Sequence, residues 1–160
     1  MALAKRTRSS LYNKRRHWYH VSTTLEKKHE RLVPWDERKS FNRDCSEPSG
    51  KRICVAPTIE QCITAIPYCL GTILTIYRTK SPIIAKRPQG VYDSHITEEG
   101  WIEKPMSFVK VGILKFEDIE KSLGVDNVAE EAASSGETRK CGKVLKWWKR
   151  ARIRRFIKRA

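Results

Sequence analysis

The sequence contains no Cys-x-x-Cys pair. Its five cysteines, Cys45, Cys54, Cys62, Cys69 and Cys141, lie nine, eight, seven and seventy-two residues apart. That spacing fits no zinc signature, and an odd count leaves one thiol over in any disulfide scheme. A long apolar run is also missing. The longest weakly polar stretch, Cys62 to Tyr77, is interrupted by Pro67 and Gly71 and is too broken to span a bilayer. Met1 to Arg16 is too densely charged to serve as an apolar signal segment. There is no internal repeat. Together these absences set an expectation of reduced thiols in a cytoplasmic setting, with Cys54 and Cys62 as core side chains rather than nucleophiles.

Acidic residues are absent from both ends. Met1 to Arg16 carries six Lys or Arg and no acid, and Arg139 to Ala160 carries eleven and no acid. The stretch between, His17 to Thr138, holds sixteen bases and all eighteen acids, so the net charge of +15 belongs to the termini. A nearly neutral body of this size can bury a respectable core. The termini then read as electrostatic arms. Nucleic acid suits them, because each neutralised phosphate releases counterions. An anionic membrane surface suits them as well, and so does plain solubility with loose attraction to any polyanion. The residues expected to meet nucleic acid are Arg15 and Arg16 at one end, and Lys143, Lys146, Trp147, Trp148, Lys149, Arg150, Arg154 and Arg155 at the other.

Along the chain, residues 1–17 read as a basic tail. "WYHVS" alternates as a first strand, with Trp18, His20 and Ser22 on one face and Tyr19 and Val21 on the other. Thr23 to Gly50 is polar, carries Pro34 and Pro48, and reads as a long loop of the kind that often covers a site. "RICVAPTIEQCITAIP" holds a short β-rich run from Arg52 to Ala56, a corner at Pro57, and a helix capped by Thr58 with Gln61 three residues on. Ile59, Cys62, Ile63 and Ile66 recur at helical spacing. Thr72 to Thr79 alternates and is β-branched, which predicts a strand. A further strand is expected to begin at Val91, with a turn around Gly100. Ser107 to Leu114 predicts another strand, and "FEDIEKSLG" a short helix stopped by Gly124. Residues 125–138 read as an acidic linker, and residues 139–160 as a basic helix. In its first half Val144, Trp147, Trp148 and Ala151 fall together opposite Lys143, Lys146, Lys149 and Arg150; after Arg152 the faces mix. The sum is an α+β body over residues 18–124, a small mixed β-sheet with two or three short helices, flanked by basic tails.

The segments Tyr19-His20-Val21-Ser22 and "ICVAPTIEQCITAI", then "HITEEGWIEKP" and "FVKVGIL", resemble small ADP-ribosyltransferase-like domains over about residues 18–123. The resemblance implies transfer of ADP-ribose from NAD to a nucleic-acid or protein acceptor. RNA 2′-phosphotransferases share the same general fold. It would make His20 the positioning group, with Ser22 beside it, and Glu98 or Glu99 the carboxylate that stabilises charge developing on the ribose. Tyr77 or Tyr92 would stack on nicotinamide. The tyrosine that this family often carries on the strand before the helix is replaced here by Cys54 and Val55. Read without the family, His20 is an ordinary strand histidine, Glu98 and Glu99 are turn charges, Tyr77 is core, and His95 lies close to the same glutamates. Two functions therefore compete: a small NAD-dependent transferase, and a catalytically inactive accessory protein that binds nucleic acid through basic tails. The first requires His20 and one of the two glutamates to face a common cleft.

Overall fold

The computed structural model describes residues 9–23, 27–35, 50–65, 73–90, 94–125 and 138–160. The architecture is the expected α+β. Strands are β1 (Tyr19–Ser22), β2 (His29–Leu32), β3 (Ile53–Val55), β4 (Ile73–Thr79), β5 (Gly100–Ile102), β6 (Met106–Lys115) and β7 (Lys158–Arg159). Helices are α1 (Ser9–Tyr12), α2 (Ile59–Thr64), α3 (Ser94–Thr97), α4 (Phe116–Leu123) and α5 (Thr138–Arg150), with a 3-10 turn at Ile153–Phe156.

The main sheet runs β1-β4-β6-β2, and β7 adds to the free end of the long strand β6. A second ribbon pairs β3 with β5. Every ladder among the described residues is antiparallel. The ribbon is tied to the main sheet at one bridge. There Tyr19 N–H donates to the Ala56 carbonyl at 2.8 Å, and Ala56 N–H returns to Tyr19 at 3.0 Å.

Two cores lie on opposite faces of the main sheet. On one face, Val21, Leu74, Ile76 and Leu114 are covered by Ile59 and Ile63 of α2, Phe116 and Ile119 of α4, and Val144 and Trp148 of α5. On the other, Trp18, Tyr77 and Phe108 pack against Ile53, Val55 and Ile102 of the ribbon. The strict alternation of β4 delivers one residue set to each face, as its sequence predicts. Helix α2 begins where the sequence places it: the Thr58 hydroxyl accepts the Gln61 N–H at 3.2 Å, an N-cap bond that satisfies one free helix donor. Gly124 ends α4 in the left-handed conformation, φ 63°.

Order extends into both basic ends, which the sequence reads as tails. At the N-terminus, Arg16 and Ile83 exchange two backbone hydrogen bonds, and the Tyr12 ring stacks on Trp18 with centroids 6.0 Å apart. Trp18, the first residue after the expected tail, is fully buried. The indole lies so close to Gly100 that a β-carbon there would come within 2.9 Å of it. At the C-terminus, the helix stops at Arg150, short of Ala160. Arg152 adopts φ 51°, the chain reverses through the 3-10 turn, and β7 pairs with Gly112 and Ile113. A side chain at Gly112 would collide with the Lys158 carbonyl at 2.4 Å, so this crossing needs glycine.

Two internal expectations also change. The polar stretch after β1 contains a strand, β2, which reads as loop because its only apolar residue is Leu32, packed against the second core. Downstream, Val91 lies outside the described residues. The single turn α3 occupies Ser94–Thr97, and strand β5 then starts at Gly100.

Candidate functional site

His20 sits on β1, half-buried, opposite Tyr77. Its Nδ1 lies 3.0 Å from the Cys54 carbonyl. A carbonyl only accepts, so Nδ1 carries the proton and Nε2 keeps its lone pair. The ring is tilted against Phe108 at 5.8 Å. Burial lowers its pKa, opposed in part by the bond to Cys54, so the ring is held neutral. Ser22 lies at the end of the same strand, opposite Thr75.

The two glutamates are held elsewhere. Glu98 comes directly after α3 with φ 51°, a left-handed backbone that costs a residue with a β-carbon about 1–3 kcal/mol. Its carboxylate accepts from Gln61 Nε2 at 3.0 Å, tying it to α2. Glu98 also lines a shallow depression with Leu11, Tyr12, Arg87, Ser94 and His95. Glu99 is buried. Its carboxylate accepts from Trp101 Nε1 at 2.8 Å, and its backbone carbonyl accepts from the Tyr12 hydroxyl at 2.6 Å. The Arg52 guanidinium lies over the Trp101 ring, 4.2 Å from its centroid. Arg52, Trp101 and Glu99 thus form a buried group that sequence reasoning did not assemble. The Glu99 charge reaches Cys62, whose thiol is pushed up to about 12, first by burial and then by that carboxylate. The expectation that Cys62 is a core residue and no nucleophile accords with this.

No hydrogen bond or ion pair joins His20 to Glu98 or Glu99 among the described residues. Tyr77 is fully buried with its hydroxyl donating to the Lys27 carbonyl at 2.8 Å, so neither ring face is open to a stacking ligand. Tyr92 lies outside the described residues. No group of three or more potential metal ligands occurs among the described residues.

The basic residues have more varied positions than a free tail would give them. Arg15 is exposed, while Arg16 is half-buried in its bridge to Ile83. Trp148 is fully buried, stacked on Phe116 at 6.0 Å and edge-on to Trp147 at 4.7 Å. It docks the helix and cannot stack on a base. Trp147 is half-buried against the same core. Arg154 is clamped by Glu60 of α2, with Nε and Nη2 donating to the two carboxylate oxygens at 2.8 and 2.9 Å. This fork-to-fork pair is the strong kind, and it too was invisible in the sequence. Lys158 pairs with Asp118 at 3.0 Å. The other cations of this segment whose exposure is described, Lys143, Lys146, Lys149, Arg150, Arg152, Arg155 and Arg159, are exposed. None of the seven has a carboxylate partner among the described residues. The Arg155 guanidinium lies 4.7 Å from the centroid of the Phe156 ring.

Compared with known protein families, with curated proteins and with solved structures, the chain matches none. The chemistry of the site therefore rests on its own residues. No helix among the described residues is long and apolar enough to cross a membrane.

Proposed function

We propose that this protein is a nucleic-acid-binding accessory protein whose contact surface is the docked C-terminal segment. One observation carries the reading. The segment turns Val144, Leu145, Trp148, Ala151 and Ile153 into the core and holds Lys143, Lys146, Lys149, Arg150, Arg152 and Arg155 outward. Lys143, Lys146 and Arg150 recur at i, i+3 and i+7, so they form one row along α5. Seven helical residues rise about 10 Å, a span over which several phosphates of one backbone can be met at once. Because the row is fixed by packing, binding pays little to order the backbone that presents it.

The transferase reading asks for His20 beside a glutamate. His20 is held by Cys54 and Phe108, Glu98 by Gln61, and Glu99 by Trp101. These separate partner sets favour the binding reading.

The test is charge reversal, because removing the segment would also remove Trp148 and Ile153 from the core. Binding of a fluorescent oligonucleotide should fall steeply with salt. Lys146→Glu with Arg150→Glu should weaken it and lower the slope of log affinity against log salt by roughly 0.7–0.9 for each phosphate no longer neutralised. Equal affinity and slope for wild type and the double variant would overturn the reading.

A further inference from the structure

The helices and the C-terminal segment cover only part of the sheet face on which they pack. Along that face the ladder Val21–Ile76–Gly112 is buried beneath them. The register shifts at Ile76/Tyr77. The next row on the same face is Tyr19–Arg78–Val109–His29, one residue from each of the four strands in register. Beyond it, Arg31 stands opposite Ser107. Arg78, His29 and Arg31 are exposed, while Tyr19 and Val109 are half-buried, Tyr19 packing by one side against the edge of the covered core. The change from Val, Ile and Leu to Arg and His marks where the covering elements end.

We propose, building on the nucleic-acid reading above, that this row, at the edge of the covered core, is a platform for single-stranded nucleic acid. Tyr19 and Arg78 would stack on bases, and Arg31 would meet the backbone.

Three features select that occupant. The first is charge. An antiparallel sheet with one wet face ordinarily carries both signs of charge there. The strands place no acid on this patch: Glu30 points to the other face, opposite Phe108. Neither Arg31 nor Arg78 has a carboxylate partner among the described residues. Arg154, at the border with the C-terminal segment, is near enough for its charge to interact with Tyr19, while Glu60 neutralises it. The second is shape. A four-stranded sheet face is wider than the ribbon that a major groove admits, and it can receive unstacked bases on ring and guanidinium planes. Neighbouring strands are about 4.8 Å apart, so Tyr19 and Arg78 offer two adjacent planes. The third is continuity. The platform borders the C-terminal segment, so one strand could lie on both.

The test uses the full chain with labelled oligonucleotides of about twelve nucleotides, a duplex of equal length, and phosphatidylserine vesicles. The single strand should bind more tightly than the duplex. Tyr19→Leu should weaken single-strand binding roughly tenfold or more, while Tyr19→Phe retains it. Arg78→Ala, at an exposed position that folding does not require, should lower the salt slope by about 0.7. Thermal melts of each variant separate impaired binding from impaired folding. If Lys146→Glu with Arg150→Glu weakens binding but Tyr19→Leu and Arg78→Ala do not, the platform is refuted and the nucleic-acid reading survives. Equal duplex affinity, or binding of vesicles alone, also refutes it. If wild type binds no nucleic acid at all, the parent reading falls with it.

Discussion

Replacing Trp148 by alanine tests whether the basic C-terminus is part of the core or an arm attached to it. Trp148 is fully buried between Phe116 and Trp147. A buried tryptophan removes about 200 Å² from water, worth about 5 kcal/mol at roughly 25 cal/mol per Å². Truncations of large aromatics in cores cost about 3–5 kcal/mol. The expected loss for Trp148→Ala is therefore about 4 kcal/mol. For a domain of this length each kcal/mol moves Tm by about 2–4 °C, so the melt should fall by about 8–16 °C. Trp148→Phe separates packing from polarity. The indole N–H is buried with no hydrogen-bond partner among the described residues, so phenylalanine discards an uncompensated donor together with part of the ring volume. Its cost should be near 1 kcal/mol, because an unsatisfied buried donor itself costs about 1–3 kcal/mol. Denaturant titration of the three proteins, with unchanged slope, gives these differences directly. If Trp148→Ala costs less than about 1 kcal/mol, the segment is not anchored as described, and the fixed cationic row loses its basis.

Two further outcomes stem from the same geometry. His20 is held neutral in the fold, so its folded pKa lies below the ordinary value of 6.5. The unfolded chain binds that proton more readily, and the contribution is fully present above pH 6.5 and lost as pH falls from there toward the folded pKa. His20→Gln should flatten the acid-side decline in a series of melts; a decline of unchanged steepness would show that other groups cause it. Purified protein with single-stranded nucleic acid should release no nicotinamide from NAD above background. Turnover that disappears in both His20→Ala and Glu98→Ala would instead restore the transferase reading.

Segments whose partners are local in sequence were legible. Thr58 and Gln61 announce α2 because a cap is a contact across three residues. Gly124 announces the end of α4 because only the left-handed turn demands it. The alternation of β4 assigned its faces correctly, since a pleat fixes them without reference to any partner, whereas in β6 the register shift puts Phe108 and Leu114 in opposite cores. Segments defined by distant partners were not legible. Strand β2 reads "HERL", with Leu32 its only apolar residue, and exists through its register with Met106 to Val109. The same holds for the C-terminus: the amphipathic pattern around Trp148 is plain, but the reversal at Arg152 relies on a positive φ that arginine rarely adopts. Glu60 and Arg154 are ninety-four residues apart, and no local rule pairs them. His20 illustrates the limit for chemistry. Its strand and face were correctly read, yet its partner, the Cys54 carbonyl, belongs to a strand of the separate ribbon, and the glutamates that the resemblance suggested are bonded to other residues.

The distribution of charge gains a physical meaning from this packing. A flexible polybasic tail binds polyanions by counterion release but must lose conformational freedom when it binds, about 1–2 kcal/mol for each residue ordered. Here folding has already ordered residues 138–160 of the C-terminus, and apolar burial around Trp148 and Ile153 offsets that cost. The structure also uses acids selectively. Glu60 of α2 and Asp118 of α4 neutralise Arg154 and Lys158, tying the segment to two helices of the body, and leave the other exposed cations without a carboxylate partner among the described residues. Both pairs bridge the segment to a helix of the body rather than lying within the segment. Their placement separates cations that hold the segment down from cations that face a partner. Arg154→Ala should then act mainly on stability and Arg150→Ala mainly on affinity. The reverse pattern would mean that the two sets had been assigned the wrong way round.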